Sequence, residues 1–356
     1  MTTSPVVAGT GAVTAVGLTA PQTCAAIRAR IAGFRKGLLI APPHAPVVHA
    51  AIPARPHLKA TSQAWLVNMV VRAIRECLDG QRTKASRTAL LLALPDVYRA
   101  HDGVGRGEAV LLAAIQSRLG TAFHAKSSVV DHGHAGVFTA IAAARALIEE
   151  GTVDHCVVGG VDSLVNNADA TRLAAAGRLH EPGNPQGVIP GEAAACLLLT
   201  SQRGQNTALA QLLGVGLDQE SDTALGERYA VGQGLRAALG AAVRDAECEE
   251  EQIDFRVSDM NGERYYAWDS TLGAGRFYRT RRERFVTWFP ASCIGDTGAA
   301  AGALNLVVAV NAIARGFAPG PVAMCEGSSD EGTRGACVVA PAAGNPSPPF
   351  RSGEPV

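Results

Sequence analysis

The sequence carries no net charge and has little aromatic content. Its 32 lysines and arginines balance 32 aspartates and glutamates, and aromatic residues make up 5% of the 356-residue chain. Proteins that bind nucleic acid or a membrane surface usually present an excess of positive charge, so a formal charge of zero argues against both roles. We therefore predict neither a nucleic acid nor a membrane as a partner.

Targeting and metal-binding patterns are also missing. The first residues, MTTSPVVAG, lack the basic start and apolar core of a secretory signal. The eight cysteines are scattered without the Cys-x-x-Cys spacing of zinc and redox sites. We expect reduced thiols packed in the core of a cytoplasmic protein.

The longest apolar run, Thr297 to Ala314, approaches the length of a membrane span. It contains Asn305 and Asn311 and lacks the flanking residues that anchor a transmembrane helix. We interpret this run as a helix buried in the protein.

Two predicted helices without a polar face determine the expected fold. They cover Ala135 to Glu150 and Gly298 to Arg315, and each follows a polar turn and precedes a strand. A helix that is apolar on all sides lies inside a protein, and small residues let it approach its neighbours closely. Two such helices in equivalent places indicate a duplicated unit that places helices between sheets.

Length and composition support two fused halves. With 47% hydrophobic residues, the chain can bury a large core. The polar stretch SQRGQN separates two series of predicted strands and helices, and the last residues are rich in Pro, Gly and Ser. We predict one half over residues 1–203, a second over 204–340, and a mobile tail over 341–356.

No cofactor is predicted. Gly9 and Gly11 begin a pattern like a dinucleotide fingerprint, but its third glycine falls at Thr14 and no acidic residue follows at the required distance. His132 and His134 are two residues apart, but no third ligand close in sequence supports a metal site.

Four motifs resemble one enzyme family along nearly the whole chain. They are VVAGTGAVTAVGLTAP, VDHCVVGGVDS, GVIPGEAAACLLL and IGDTGAAAGALNL, in this order. Together they resemble the β-ketoacyl synthase branch of the thiolase-fold enzymes. The resemblance implies an α/β fold, a five-layer α/β/α/β/α sandwich of two similar halves. It also implies a dimer in which the strand at about Lys126 to Val130 pairs across the two-fold axis.

The sequence departs from this family at every catalytic position. The family's nucleophilic cysteine is replaced by His134, and its two catalytic histidines by Asp259 and Asp296. The threonines that hold pantetheine become Asn261 and Glu263, a lysine becomes Ala291, and the closing turn falls in GSSDEG. The resemblance therefore extends to the fold and not to the catalytic residues.

These replacements oppose the family's condensation reaction. We expect the dipole at a helix N-terminus to favour a neutral His134 imidazole, and an acyl-imidazole is hydrolytically labile. Carboxylates at the two histidine positions place negative charge where an oxyanion must form. The alternative is a His-Asp pair in which His134, oriented by Asp259 or Asp296, acts as a general base.

The preferred function is that of a catalytically degenerate homologue that acts as a partner, scaffold or adaptor. The resemblance offers two precedents, chain-length factors and the ketosynthase-like proteins that accompany type VI secretion genes. The expected partner is a second copy or another ketosynthase-like protein, with an acyl-carrier protein or a secretion effector as further possibilities. The alternative is an active acyltransferase or thioester hydrolase that uses His134.

Two further features remain open from sequence. Cys293 and Cys325 lie near the motifs, and we expect packing roles for both. The segment from Arg264 to Phe289 concentrates aromatic residues and arginines, which either dock a protein partner or cover the edge of the sheet.

Overall fold

The computed structural model describes residues 4–41, 45–53, 63–96, 108–201 and 208–342. The helices are α1 (Ala20–Arg28), α2 (Gln63–Leu78), α3 (Glu108–Leu119), α4 (Gly136–Glu149), α5 (Asn167–Ala175), α6 (Gln233–Asp245), α7 (Arg264–Phe277), α8 (Ala291–Ile294) and α9 (Ala301–Ala314). The strands are β1 (Val6–Thr14), β2 (Arg35–Ala41), β3 (Ala45–His49), β4 (Thr88–Ala93), β5 (Ser128–Val130), β6 (His155–Ser163), β7 (Glu192–Thr200), β8 (Ala210–Gln219), β9 (Phe255–Ser258), β10 (Val286–Trp288), β11 (Ala323–Ser328) and β12 (Thr333–Ala340).

Ten strands of the described chain form a ladder in the order β10-β9-β11-β12-β8-β1-β7-β6-β4-β5. The ladder is weakest between β1 and β8, which pair only through Val6 with Gln211 and Val7 with Ala210. By contrast, β1 pairs with β7 from Val6 to Thr14. The ladder therefore divides at this point into two groups of strands, one in each half of the chain.

The two strand groups repeat one topology. In the first, β1 is antiparallel to β7 and β7 to β6, whereas β6, β4 and β5 run parallel. In the second, β8 is antiparallel to β12 and β12 to β11, whereas β11, β9 and β10 run parallel. This identity of order and direction confirms the predicted pair of similar halves.

The helices complete five layers. The two central helices, α4 and α9, each contact strands of both groups, and they contact one another. Outside the first group α2 and α3 pack together, and outside the second group α6 and α7 do so. The arrangement is the expected α/β/α/β/α sandwich, with the largest hydrophobic cluster around α4 and α9.

The longest apolar run forms the central helix α9. Its residues from Ala301 to Ile313 are all buried, as predicted. Asn305 is accommodated because its side-chain amide donates to the carbonyl oxygen of Glu326 at 3.0 Å. Among the described helices, none combines the length and apolarity needed to cross a bilayer.

Two predicted boundaries fall mainly outside the described residues, and one predicted strand falls within them. The predicted boundary at residues 203 and 204 lies outside the described residues, as does nearly all of the tail at 341–356. The division into 1–203 and 204–340 therefore stays a prediction. The strand expected at Lys126 to Val130 is β5, which begins at Ser128 and ends the ladder of the first half.

A substitution at Gly302 in α9 tests how closely the two central helices must approach each other. A Cβ atom at this position of α9 would lie 2.5 Å from the carbonyl oxygen of His134, and neither backbone can move freely in the central layer. We expect Gly302→Ala to lower the free energy of unfolding by ~1–3 kcal/mol, measured by urea denaturation.

The matched control is a helical glycine with open space around it. Gly275 in α7 has no atom within 4 Å of the position that a Cβ would occupy, so Gly275→Ala is expected to stabilise the protein by ~0.5–1 kcal/mol. Equal stability of the Gly302→Ala variant and the parent protein would contradict the close approach.

Candidate functional site

The site lies where the two central helices begin. His134 is in a short turn of 3-10 helix, Gly133–Ala135, that leads into α4. Asp296 follows α8 and precedes the corresponding turn, Gly298–Ala300, that leads into α9. Asp259 follows directly after β9. The fold thus brings residues from both halves to the N-terminal ends of α4 and α9.

Glycine is required where these turns reverse direction. Gly133 has a φ of 47° and Gly295 a φ of 69°, a left-handed conformation that residues with a Cβ adopt at a cost. A side chain at Gly133 would also collide with the carboxylate of Asp96. The glycines in DHGHAG and IGDTG therefore place His134 and Asp296 by backbone geometry.

His134 and Asp296 form a buried ion pair. The imidazole Nε2 lies 2.7 Å from Oδ1 of Asp296, and the two residues are only 6% and 4% exposed. Burial lowers the pKa of His134, but Asp296, Asp259 and Asp330 outweigh this effect and raise the pKa to about 10. The sequence expectation of a neutral imidazole rested on the helix terminus, and the three carboxylates from distant segments shift the pKa of His134 in the opposite direction.

Asp296 is held by three hydrogen bonds. Besides His134, its Oδ1 accepts from the backbone N–H of Gly298 at 2.8 Å, and its Oδ2 accepts from the side-chain amide of Asn261 at 2.7 Å. Burial raises the pKa of Asp296, but these donors and the His134 charge lower it to about 2. Asp296 is a carboxylate across the physiological pH range.

Asp259 has a different environment. Its Oδ2 accepts from the backbone N–H of Ser328 at 2.7 Å, and it acts on His134 through its charge. Burial raises the pKa of Asp259 to about 7 against the opposing effects of His134 and Ser328. Of the two aspartates considered from sequence, Asp296 is the one that hydrogen-bonds His134.

Arg178, which sequence reasoning missed, binds two acidic side chains beside this pair. Its guanidinium donates to both carboxylate oxygens of Glu263 at 2.7 and 2.8 Å, and to both of Asp330 at 2.8 and 3.0 Å. Tyr266 also donates to Asp330 through its hydroxyl group. Burial raises the pKa of the Asp330 carboxyl, but the Arg178 charge and these hydrogen bonds lower it by more. The pKa of Asp330 therefore lies below its usual range.

The network joins three loops across the site. Arg178 follows α5, Glu263 precedes α7, and Asp330 lies in GSSDEG between β11 and β12. Asn261 links the network to the ion pair, since its side-chain amide lies 3.2 Å from Glu263 and 2.7 Å from Asp296. No motif or spacing marks Arg178 in the sequence, because its partners lie 85 and 152 residues further along the chain.

A side-chain hydroxyl also binds the backbone at the start of α4. The backbone N–H of Ala135 donates to the hydroxyl oxygen of Ser329 at 2.9 Å, and that hydroxyl donates to the carbonyl oxygen of His132. A backbone donor at this helix terminus is therefore used within the protein.

The open space beside the ion pair is small. A recess lined by Asp259, Ala291, Asp296, Thr297, Leu304 and Asn305 has an empty volume of ≈ 220 Å³, open solvent included. Pockets for drug-sized ligands occupy about 300–1,000 Å³. The volume of this recess lies below that range.

The structure also shows what surrounds His132 and the cysteines. The side chain of His132 contacts Thr139 at 3.4 Å, and within the described residues no group of three His, Cys, Asp or Glu side chains is placed to hold a metal ion. All eight cysteines are free, and all but Cys248 are buried. Burial raises the pKa of Cys293 and of Cys325, which disfavours the reactive thiolate of both.

Comparisons with known proteins agree with this architecture. Residues 88–204 match the family model described as Beta-ketoacyl synthase, N-terminal domain. A comparison with curated proteins finds no match.

Solved structures match over nearly the full chain. The ishigamide ketosynthase/chain length factor is 19% identical with a TM-score of 0.79, covering 96% of this chain and 100% of that one. The ketosynthase ApeO in complex with its chain length factor ApeC, from Xenorhabdus doucetiae, is 17% identical with a TM-score of 0.77, covering 96% and 98%. The oxazolomycin ketosynthase domain OzmH KS7 from Streptomyces albus is 15% identical with a TM-score of 0.79, covering 99% and 76%.

The five layers and the duplicated topology define a thiolase-type fold. Residues 88–204 are similar to the N-terminal domain of β-ketoacyl synthases, and the fold of the whole chain is similar to that of the solved ketosynthase structures. The positions of His134, Asp259 and Asp296 in that fold do not by themselves assign a catalytic role to them.

The protonation of His134 can be measured directly. Because its pKa is raised to about 10, we expect His134 to remain an imidazolium at pH 8, where a histidine of ordinary pKa is neutral. Nuclear magnetic resonance of ¹⁵N-labelled imidazoles, assigned with His134→Gln, distinguishes the two forms. In Asp296→Asn the apparent pKa should fall, and a midpoint near 6.5 in the unmodified protein would refute the ion pair.

The same pair predicts a pH dependence of stability. His134 has a raised pKa in the folded state, so its contribution is complete below about 6.5 and is lost as pH rises through about 10. Asp296 has a lowered pKa, so its contribution is present above about 4 and is lost as pH falls through about 2. In denaturant titrations the loss of stability from pH 6.5 to 10 should be smaller in His134→Gln.

Arg178 is expected to be the most sensitive cation of the site. Arg178→Met leaves Glu263 and Asp330 buried without their partner, and we expect it to cost ~3–5 kcal/mol in urea denaturation. Arg228→Met is the matched control, because Arg228 is 82% exposed in its pair with Asp222 and its loss should cost less than about 1 kcal/mol. Equal costs for the two variants would contradict a structural role for the buried network.

Proposed function

We propose that this protein is a non-condensing β-ketoacyl synthase homologue that acts by pairing with a protein partner. The observation that carries this proposal is the His134–Asp296 ion pair at the start of α4, where the related enzymes are expected to hold their nucleophilic cysteine. An imidazolium carries a proton on each ring nitrogen and has no free electron pair there with which to attack an acyl group.

The surrounding charges also oppose condensation. Forming a carbon–carbon bond by decarboxylation requires hydrogen-bond donors that stabilise an enolate or oxyanion. Here Asp296 is a carboxylate, and Asp259 becomes one as pH rises through about 7. Two carboxyl groups stand in place of two donors, so the site disfavours the transition state of the reaction.

The alternative, an acyltransferase or thioester hydrolase, needs His134 as a base. Because the carboxylates around it raise the pKa of His134 to about 10, the neutral imidazole is the minor form at pH 7. That imidazole hydrogen-bonds through Nε2 to Asp296, which orients it as a general base would be oriented. The charge state nevertheless favours the non-condensing function.

Pairing is proposed on the basis of the fold and its neighbours. Two of the matching structures are described as a ketosynthase with a chain length factor. Strand β5 ends the ladder of the first half, and its residues are only half-buried. We propose that this edge pairs with a second copy or with another ketosynthase-like chain, in the manner of a chain-length factor.

The enzymatic alternative is tested by intact-protein mass spectrometry. We expect neither a covalent adduct nor thioester hydrolysis after incubation with a panel of acyl-coenzyme A and acyl-carrier-protein thioesters. A ketosynthase with its cysteine intact serves as the positive control, and His134→Ala serves as the matched variant.

The two functions give opposite results in this experiment. An adduct on the parent protein, or hydrolysis that is lost in His134→Ala, would replace the proposal with the enzymatic alternative. Assembly with a ketosynthase-like partner that is unchanged in His134→Ala, measured by size-exclusion chromatography with light scattering, supports the pairing function.

A further inference from the structure

An exposed apolar patch lies on the outer layer of the second half. Trp268 is 52% exposed, Tyr229 48%, Leu225 49% and Val231 39%. Trp268 belongs to α7, and the other three belong to the loop between β8 and α6. Large apolar side chains grouped on a surface are typical of interaction sites.

Contacts along α7 place the loop and the helix in one surface. The rings of Tyr229 and Tyr265 have centroids 6.2 Å apart, and the guanidinium of Arg264 lies 5.7 Å from the centroid of Tyr229. Further along the helix, Arg276 donates to the carbonyl oxygen of Val231. Trp268 is one helical turn beyond Arg264, so it lies on the side of α7 that adjoins the loop.

Arginines lie on both sides of Trp268 along α7 and continue in the chain that follows. Arg264 and Arg276 flank Trp268 on α7, and the chain that leaves the helix carries three more exposed arginines, Arg279, Arg281 and Arg284. In the part of the chain that the structure describes, none of these five forms an ion pair with a carboxylate. Nearby, Arg282 pairs with Glu250 at 2.7 Å, so carboxylates are available in this region and are used elsewhere.

The geometry points to a docking surface for an acidic segment of a partner protein. We propose that this segment places an apolar side chain against Trp268 and Tyr229 and presents carboxylates to Arg264 and Arg276. Tryptophan, tyrosine and arginine are the residues that contribute most often to binding energy at protein interfaces. Complementary charge adds orientation and a faster association rate.

A protein fits this surface better than a nucleic acid does. The whole chain has a formal charge of zero, whereas a nucleic-acid-binding domain usually has a strong positive excess. The patch also has apolar side chains at its centre, with Glu227 and Glu283 exposed in the same segments. Phosphate contacts would be weakened by these carboxylates, whereas the rim of a protein interface contains both signs of charge.

This surface is separate from the proposed pairing edge. Helix α7 packs on α6 outside the second strand group, whereas β5 ends the ladder of the first group. A partner bound at α7 therefore occupies a different surface from a chain that pairs at β5. The inference therefore does not depend on the identity of the chain that pairs at β5.

Photo-crosslinking in the producing cells tests the surface. A benzophenone amino acid replaces Thr271, which is exposed and one turn from Trp268, in the full-length protein. After irradiation, the cross-linked segment is identified by peptide mapping. We expect a protein segment with an excess of Asp and Glu around at least one large apolar residue.

Binding of that segment is then measured with purified protein. Fluorescence anisotropy with the labelled synthetic segment should show an affinity loss of about tenfold or more in R264E/R276E, and weaker binding at higher salt. The matched control is R82E/R118E, which reverses two exposed arginines outside the first strand group and should bind like the parent protein. If R264E/R276E does not fold, Trp268→Ser tests the apolar contact instead.

Each other outcome overturns the proposal. These outcomes are a cross-link to nucleic acid, to a second copy of this chain or to a segment without acidic excess, and the absence of any cross-link. Equal affinity of the parent protein and folded R264E/R276E would also overturn it.

Discussion

The close approach of α4 and α9 is the constraint on which the rest of the structure depends. Both helices lie between two layers of strands, so each must be narrow where it meets the other. Helix α9 is buried from Ala301 to Ile313, whereas α4 is buried mainly in its first half and exposes Ala143 and Ala146. Gly302 in α9 lies directly against the carbonyl oxygen of His134 at the start of α4. Because the helices begin side by side, any side chain placed at one start faces the residues at the other.

That geometry explains why the charges of the site occur as a set. Two helix N-termini meet in a buried space, and their partial positive charges favour an anion there. Asp296 meets this requirement by accepting the N–H of Gly298 at the start of α9, and it also compensates the buried His134 imidazolium. Either residue alone would leave an uncompensated buried charge, so the presence of one physically depends on the presence of the other.

The sequence predicted the architecture because the architecture depends on local patterns. The apolar stretches at Ala135 to Glu150 and Gly298 to Arg315, and the glycines before them, specify two central helices and their entry turns without long-range information. The second helix is buried as predicted, whereas the first is buried mainly in its first half. The charge state of His134 depends instead on Asp259, Asp296 and Asp330, which are more than a hundred residues distant in the chain. Arg178 could not be identified from sequence for the same reason, because the fold alone brings its two carboxylate partners to this loop.

Ion pairs of this chain occupy much of the space around the starts of α4 and α9, which leaves its outer surfaces for contacts with a partner. Within this network Asn261 and Arg178 bind carboxylates of this chain, whereas Nδ1 of His134 has no hydrogen-bond partner among the described residues. By contrast, α7 presents Trp268 and arginines whose charges are not compensated by described carboxylates. Exposed tryptophan and arginine without a partner carboxylate are typical of protein interfaces, which agrees with the docking surface proposed on α7.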